Sequence, residues 1–238
     1  MNEQLIKETV FYACPDGFQM PSLLVRPSNG GPHPGILFVI EATGLHAHAK
    51  ELAEELAAYG YAVFAPDLLA RGNPLGCLVR LFKELESGRG RGIDDLLAAR
   101  HWLSQQPSVI PEQIAVIGFC MGGGFALILS KTGLFKVAAD FYGRIPDSLE
   151  GACPIFGSFG ERDMTVISKV PHLRRELERH AIPHEVTVYP QVGHGFMHEQ
   201  VSGLASMFLK YGPGRGGYDA KTAADAKHRL REFLKAHL

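Results

Sequence analysis

A cysteine between two glycines, at the junction of an apolar strand and an apolar helix, limits the possible folds of this chain more than any other feature. Gln113-Ile114-Ala115-Val116 is apolar and β-branched and reads as a buried strand, while Phe125-Ala126-Leu127-Ile128-Leu129-Ser130 reads as the opening of a buried helix. The link, Ile117-Gly118-Phe119-Cys120-Met121-Gly122-Gly123-Gly124, contains Gly-x-Cys-x-Gly. This is the nucleophile-elbow pattern with cysteine in place of serine. A side chain on so sharp a strand-to-helix turn sits in a strained backbone conformation, and bulky residues two positions either side would collide. Such a turn lifts the sulfur above the sheet and aims a helix N-terminus at it, and that partial positive charge favours thiolate.

The rest of the chain alternates in the same way. Glu8 to Ala13 and Phe18 to Arg26 read as a hairpin around Asp16-Gly17. Ile36 to Ile40, Tyr61 to Ala65, Lys136 to Tyr142, Pro154 to Phe159 and His184 to Tyr189 read as further strands. The continuous apolar run Ile36-Leu37-Phe38-Val39-Ile40 implies burial on both faces, as in a parallel sheet. Helices are predicted over Ala47 to Tyr59, Leu78 to Glu86, Ile93 to Gln105, Ser168 to His180 and Asp219 to Leu238. With no repeat and no low-complexity linker, this predicts one α/β domain over residues 1–238, with a mostly parallel sheet and an antiparallel start. Residues 70–92, rich in glycine, are expected to form an excursion over the active-site edge.

Active groups in open α/β sheets gather at the carboxyl ends of strands. Two residues downstream of Cys120 meet that condition: Asp163 after the Ile155–Phe159 strand, and His194 in Gly193-His194-Gly195-Phe196 after the last strand. Nucleophile, acid, histidine is the chain order of the α/β-hydrolase triad. A hydrogen-bonded imidazole takes the thiol proton, and an aspartate on the far ring nitrogen fixes its tautomer. Asp140, inside its strand two residues before Tyr142, competes for the acid's role. The backbone N–H groups of Met121 and Ala42 are the expected oxyanion donors, which puts Glu41 beside the sulfur.

Composition narrows the classes of partner. The 238 residues are 46% hydrophobic and 21% charged with a formal net charge of -1, which gives no support for nucleic acid or an anionic membrane as partner. No apolar run approaches the roughly 20 residues that span a bilayer. The start Met1-Asn2-Glu3-Gln4-Leu5 lacks the basic and apolar regions of a signal peptide, so a cytoplasmic protein is expected. Cys14, Cys77, Cys120 and Cys153 match no zinc or redox spacing, and His46 and His48 lack a third ligand nearby. No metal and no cofactor is expected.

Together, Gly118-Phe119-Cys120-Met121-Gly122-Gly123, Asp163, Gly193-His194-Gly195-Phe196, Asp67-Leu68-Leu69-Ala70-Arg71-Gly72 and the Glu41 strand end resemble the dienelactone hydrolase (carboxymethylenebutenolidase) family. The resemblance runs from about residue 8 to the C-terminus. It implies an α/β-hydrolase fold and hydrolysis of a small ester or lactone through an acyl-enzyme on Cys120. It also implies that Glu41 holds the resting thiol until substrate displaces it. Arg71 matches one of the family's two carboxylate-binding arginines; Tyr142 is a candidate for the pocket wall, with plain core packing as the alternative. The second arginine position holds His198. Neutral imidazole is a weaker carboxylate partner than a guanidinium fork, so either the substrate differs or Arg144 or Arg162 substitutes. Thioesterase or acyl-transfer chemistry on the same triad, and a non-catalytic thiol sensor, are the alternative readings.

Overall fold

A computed structural model describes residues 4–42, 44–197 and 212–238. Eight strands form one sheet: β1 (Leu5–Ala13), β2 (Gln19–Pro27), β3 (His33–Val39), β4 (Ala62–Pro66), β5 (Val109–Phe119), β6 (Val137–Phe141), β7 (Ile155–Gly160) and β8 (His184–Tyr189). Their order across it is β1-β2-β4-β3-β5-β6-β7-β8. The β1–β2 hairpin pairs antiparallel, as does β2 with β4, and every pairing from β4 through β8 is parallel. This is the mostly parallel sheet with an antiparallel start that the sequence predicts.

The central strands alternate between two cores with the two-residue period of a pleated sheet. On β3, Leu37 and Val39 join one cluster while Ile36 and Phe38 join the other; on β5, Ile114 and Val116 face one way, and Ala115, Ile117 and Phe119 the other. Helices cover both faces, which explains why these strands read as unbroken apolar runs. One layer holds α1 (Ala47–Ala58) and α6 (Ala220–His237), contributing Leu52, Leu56, Leu230, Phe233 and Leu234. The other holds α2 (Pro74–Ser87), α3 (Arg91–Ser104), α4 (Met121–Leu129) and α5 (Val170–Arg179). Every residue of α4 is buried. Among the described residues, no helix is long and apolar enough to cross a membrane.

Residues 70–92 are more regular than the sequence suggested. Helix α2 begins at Pro74, where the Asn73 side chain accepts the N–H groups of Leu75 and Gly76, and it ends at Gly88, left-handed at φ 68°. Pro at the first helical position and glycine just past the end are the expected boundary residues. Leu81 and Leu85 pack inward, and Leu85 lies against Gly124 in the first turn of α4. Leu75, Val79 and Phe82 face outward.

Candidate active site

The β5–α4 junction has the strain that its sequence requires. Cys120 adopts φ 54° and ψ -116°, a region that costs a non-glycine residue of order 1–3 kcal/mol and persists only when its surroundings fix it. Two backbone hydrogen bonds do so: Cys120 N–H donates to the Phe141 carbonyl at 2.9 Å, and Gly124 N–H donates to the Cys120 carbonyl at 3.3 Å. The flanking glycines allow the close approach. A Cβ on Gly118 would lie 2.0 Å from the Gly122 carbonyl oxygen, and one on Gly122 would lie 2.1 Å from that of Val39. Gly122 therefore seats the end of β3, and with it Glu41 and Ala42, beside the start of α4.

The tightness of that seat makes a direct prediction. Gly122→Ala must push β3 away from the elbow through backbone atoms that cannot rotate aside, so it is expected to destabilise by about 3 kcal/mol. Gly76→Ala, in α2 with nothing within 4 Å of the added carbon, is expected to stabilise by roughly 0.5–1 kcal/mol. Urea unfolding midpoints of the two variants should shift in opposite directions; a shift of the same sign would show that the close approach at Gly122 is not rigid.

The other two expected partners converge on the sulfur. His194 Nδ1 donates to Asp163 Oδ2 at 2.7 Å, with Asp163 fully buried. That bond puts one ring proton on Nδ1 and turns Nε2 to the Cys120 sulfur, with which the ring is hydrogen-bonded. Burial alone disfavours the imidazolium, but the Cys120 sulfur and the Asp163 carboxylate more than offset it, and the ring's proton affinity rises. Burial pushes the thiols of Cys14 and Cys153 up to about 11 and 12, so these two cysteines sit as inert thiols.

Several supports of this arrangement were missed at the level of sequence. Asp163 Oδ1 accepts both the Thr165 N–H, at 3.0 Å, and the Thr165 hydroxyl. Asp-x-Thr after a strand is the readable signal for such a turn. Residues 212–217, Gly-Pro-Gly-Arg-Gly-Gly, strap the acid and histidine loops together: Met164 N–H donates to the Pro213 carbonyl and His194 N–H to that of Gly214. A Cβ on Gly193 would lie 2.2 Å from the Arg215 carbonyl oxygen, so this crossing also demands glycine. His48 Nε2 donates to the Met197 carbonyl at 2.9 Å, and His46 caps α1 by accepting the Ala49 N–H.

Tyr142 packs on the histidine. Fully buried at φ 47°, its ring lies 4.9 Å from that of His194 and 5.2 Å from that of Phe196. Burial first, then the charges of Glu41 and Cys120, hold its phenol well above the ordinary range, which places Glu41 and the sulfur around one ring. Met121, the first residue of α4, carries an N–H of the kind a helix leaves unpaired. Asp140 is fully buried and accepts the Gly143 N–H, while the histidine is bound by Asp163.

Arg71 has a different set of partners from a substrate carboxylate. Its guanidinium binds Asp95 through Nε and Nη2 at 2.9 and 2.8 Å, binds Asp16 through Nη1 and Nη2 at 2.7 and 2.9 Å, and stacks on Phe18 at 4.4 Å. Arg144 reaches Glu86 at 3.6 Å. His198 lies outside the described residues.

A mostly parallel, helix-covered sheet with a strained cysteine turn after β5, an aspartate after β7 and a histidine after β8 has the architecture of an α/β-hydrolase. The chain belongs to the dienelactone hydrolase family, whose model matches residues 20–238. It is therefore a hydrolase of the carboxylic ester and lactone class. Proteins named "Putative carboxymethylenebutenolidase" from Synechocystis sp. and Escherichia coli are 24% and 26% identical to it; the first alignment covers 98% of both chains, the second 93% of this chain and 84% of the other. Among solved structures, a dienelactone hydrolase-like promiscuous phosphotriesterase from metagenomic libraries matches with TM-score 0.83 at 24% identity over 98% of both chains. A dienelactone hydrolase from Anabaena variabilis matches with TM-score 0.66 at 18% identity over 99% of both.

Proposed function

We propose that this protein hydrolyses small esters or lactones through an acyl-enzyme on Cys120. The observation that carries the reading is the hydrogen-bonded series Cys120–His194–Asp163, with the cysteine held in its strained turn at φ 54°. In the first half-reaction the sulfur attacks the acyl carbon and its proton passes to His194 Nε2. The carbonyl oxygen takes the developing charge, held by the N–H groups of Met121 and Ala42. Collapse breaks the C–O bond, and the leaving alcohol, or the lactone's own ring oxygen, takes the proton from His194. In the second half water attacks the thioester, again giving its proton to His194, and the acid leaves as Cys120 recovers its proton. Asp163 fixes the ring throughout. At rest Glu41 competes with His194 Nε2 for the one thiol proton, and it withdraws when substrate enters, leaving that proton to His194.

The site is proposed to lie in a single α/β-hydrolase domain, with the segment at residues 70–92 over its edge. Tyr142 supplies an apolar wall for the acyl group. Because two carboxylates already engage Arg71, we propose that esters and lactones without a carboxylate are the better substrates. Acid-quenching a reaction with p-nitrophenyl acetate and mapping the digest by mass spectrometry should place an acetyl group on the Cys120 peptide. An acetyl group found only elsewhere, or steady turnover without one, would sink the acyl-enzyme.

A further inference from the structure

A carboxyl group lies fully buried beside the elbow, and the steps above do not use it. Asp140 faces Gly118 on β5 and Gly157 on β7, neither of which offers it a side chain. Its Oδ1 accepts the Gly143 N–H at 2.7 Å. A Cβ on Gly123 would lie 2.1 Å from that oxygen, and one on Gly143 would lie 2.5 Å from it and 2.3 Å from the Gly124 nitrogen. The oxygen is thus wedged between the first turn of α4 and the turn after β6. Its Oδ2 is buried without a hydrogen-bond partner among the described residues.

Each end of that wedge leads to a reacting group. On one side is the helix turn that begins at Met121, directly after Cys120. On the other is Tyr142, whose φ of 47° is held between Asp140 and Gly143 and whose ring lies on His194. The carbonyl that receives the Cys120 N–H belongs to Phe141, the residue between Asp140 and Tyr142.

We propose that Asp140 is a positioning residue which, as an uncharged acid, locks the Tyr142–Gly143 turn to the first turn of α4, holding Cys120 and His194 in register. The proposal rests on the triad reading above. A charged carboxylate with one unpartnered, fully buried oxygen is far costlier than the neutral acid. Among the described residues, no cation is in direct contact with it. Helix α4 has no titratable side chain, β7 contributes Ser158, and the titratable groups facing the site are Asp163, His194, Tyr142, Cys120 and Glu41. Burial pushes the Asp140 carboxyl up to about 8, against the smaller opposing effects of the Gly143 N–H and His194. Above that pH a negative charge appears beside the helix N-terminus that would hold the oxyanion, opposing the charge that develops there.

The sign for stability follows from linkage. A carboxyl whose folded pKa lies above its unfolded one contributes stability that is complete below the unfolded value, near 4, and is lost as pH rises through about 8. Asp140→Asn keeps the Oδ1 acceptor without a titratable proton. It should therefore melt above wild type at pH near 8, with the gap closing near pH 4. Asp140→Ala loses the acceptor, and its kcat for p-nitrophenyl acetate should fall roughly 10–100-fold, the scale of a small misplacement, with KM nearly unchanged. Asp140→Asn should restore most of that kcat and lack the decline that wild type shows above about pH 8. The proposal is overturned if Asp140→Asn is as slow as Asp140→Ala at neutral pH, or if its pH profile and pH-dependent melting match wild type. Should Asp140→Ala fail to fold, the asparagine variant still decides. Activity surviving in Cys120→Ala would remove the triad reading, while the melting series would still report the charge state of Asp140.

Discussion

Cys120→Ala is expected to lower kcat for p-nitrophenyl acetate by a factor on the order of 10^4 to 10^6, leaving a protein that melts close to wild type. The loss is large because the turn that strains residue 120 presents Cys120 as the one nucleophilic side chain at the N-terminus of α4, whose first turn is Met121-Gly122-Gly123-Gly124. His194→Ala should cost about as much. Without the imidazole, nothing takes the thiol proton on attack or returns one to the leaving oxygen. Asp163→Asn should cost on the order of 10^4, since an amide presents its N–H to Nδ1 and holds the ring in the wrong tautomer. Because the three residues act as one unit, the double variant Cys120→Ala/His194→Ala should be no slower than either single one within about threefold. Multiplicative losses in the double variant would mean that cysteine and histidine serve separate reactions. Folding is the control: Cys120 is half-buried and contributes one thiol to the core, so a melting curve near wild type separates lost chemistry from lost structure.

The sequence exposed the part of this site that local chemistry dictates. Gly118 and Gly122 carry their own reason: a Cβ at either would lie 2.0 or 2.1 Å from a backbone carbonyl oxygen. Asp163 and His194 follow strands whose apolar runs are unambiguous. What stayed hidden lies in contacts between distant segments. Residues 212–217 brace the acid and histidine loops through the backbone carbonyls of Pro213 and Gly214, for which no residue type is diagnostic. Boundaries moved for similar reasons. Strand β3 starts at His33 and β5 at Val109, earlier than their apolar runs, because His33 pairs with Val109 and Pro34 with Ile110. Helix α2 starts at Pro74, four residues before the predicted Leu78; Asn73-Pro74 is a start signal that the glycines around it masked. Arg71 shows the limit most clearly. Its place in Asp67-Leu68-Leu69-Ala70-Arg71-Gly72 suggests a substrate contact, while its partners lie 24 and 55 residues away in the chain.

Those partners make Arg71→Ala the most destabilising of the surface-loop substitutions. The Arg71 side chain is 5% exposed and Asp95 only 1%, so removing the guanidinium leaves the Asp95 carboxylate buried and unpaired. Breaking a buried pair in this way costs about 3–5 kcal/mol, which for a chain of this size lowers the melting temperature by roughly 10 °C. The same network joins β1–β2 to α3: Arg71 reaches Asp16 in the hairpin turn, Asp95 lies on α3, and the Tyr12 hydroxyl donates to the Asp95 carbonyl. Asp16→Asn should cost far less, because Asp16 is 43% exposed and water replaces the lost partner. Its carboxyl, held down to about 2 by the Arg71 hydrogen bonds and the Phe18 N–H, stays charged over the whole working range. Arg71→Met/Asp95→Leu, which removes both buried charges and keeps their volume, should recover most of what Arg71→Ala loses. Kinetics separate this structural role from substrate binding. Measured below its melting range, Arg71→Ala should change KM by the same factor for an ester bearing a carboxylate and for its neutral isostere. A selective rise in KM for the charged ester, in a variant that melts like wild type, would return Arg71 to the substrate site and make the Asp16 and Asp95 contacts ones that substrate displaces.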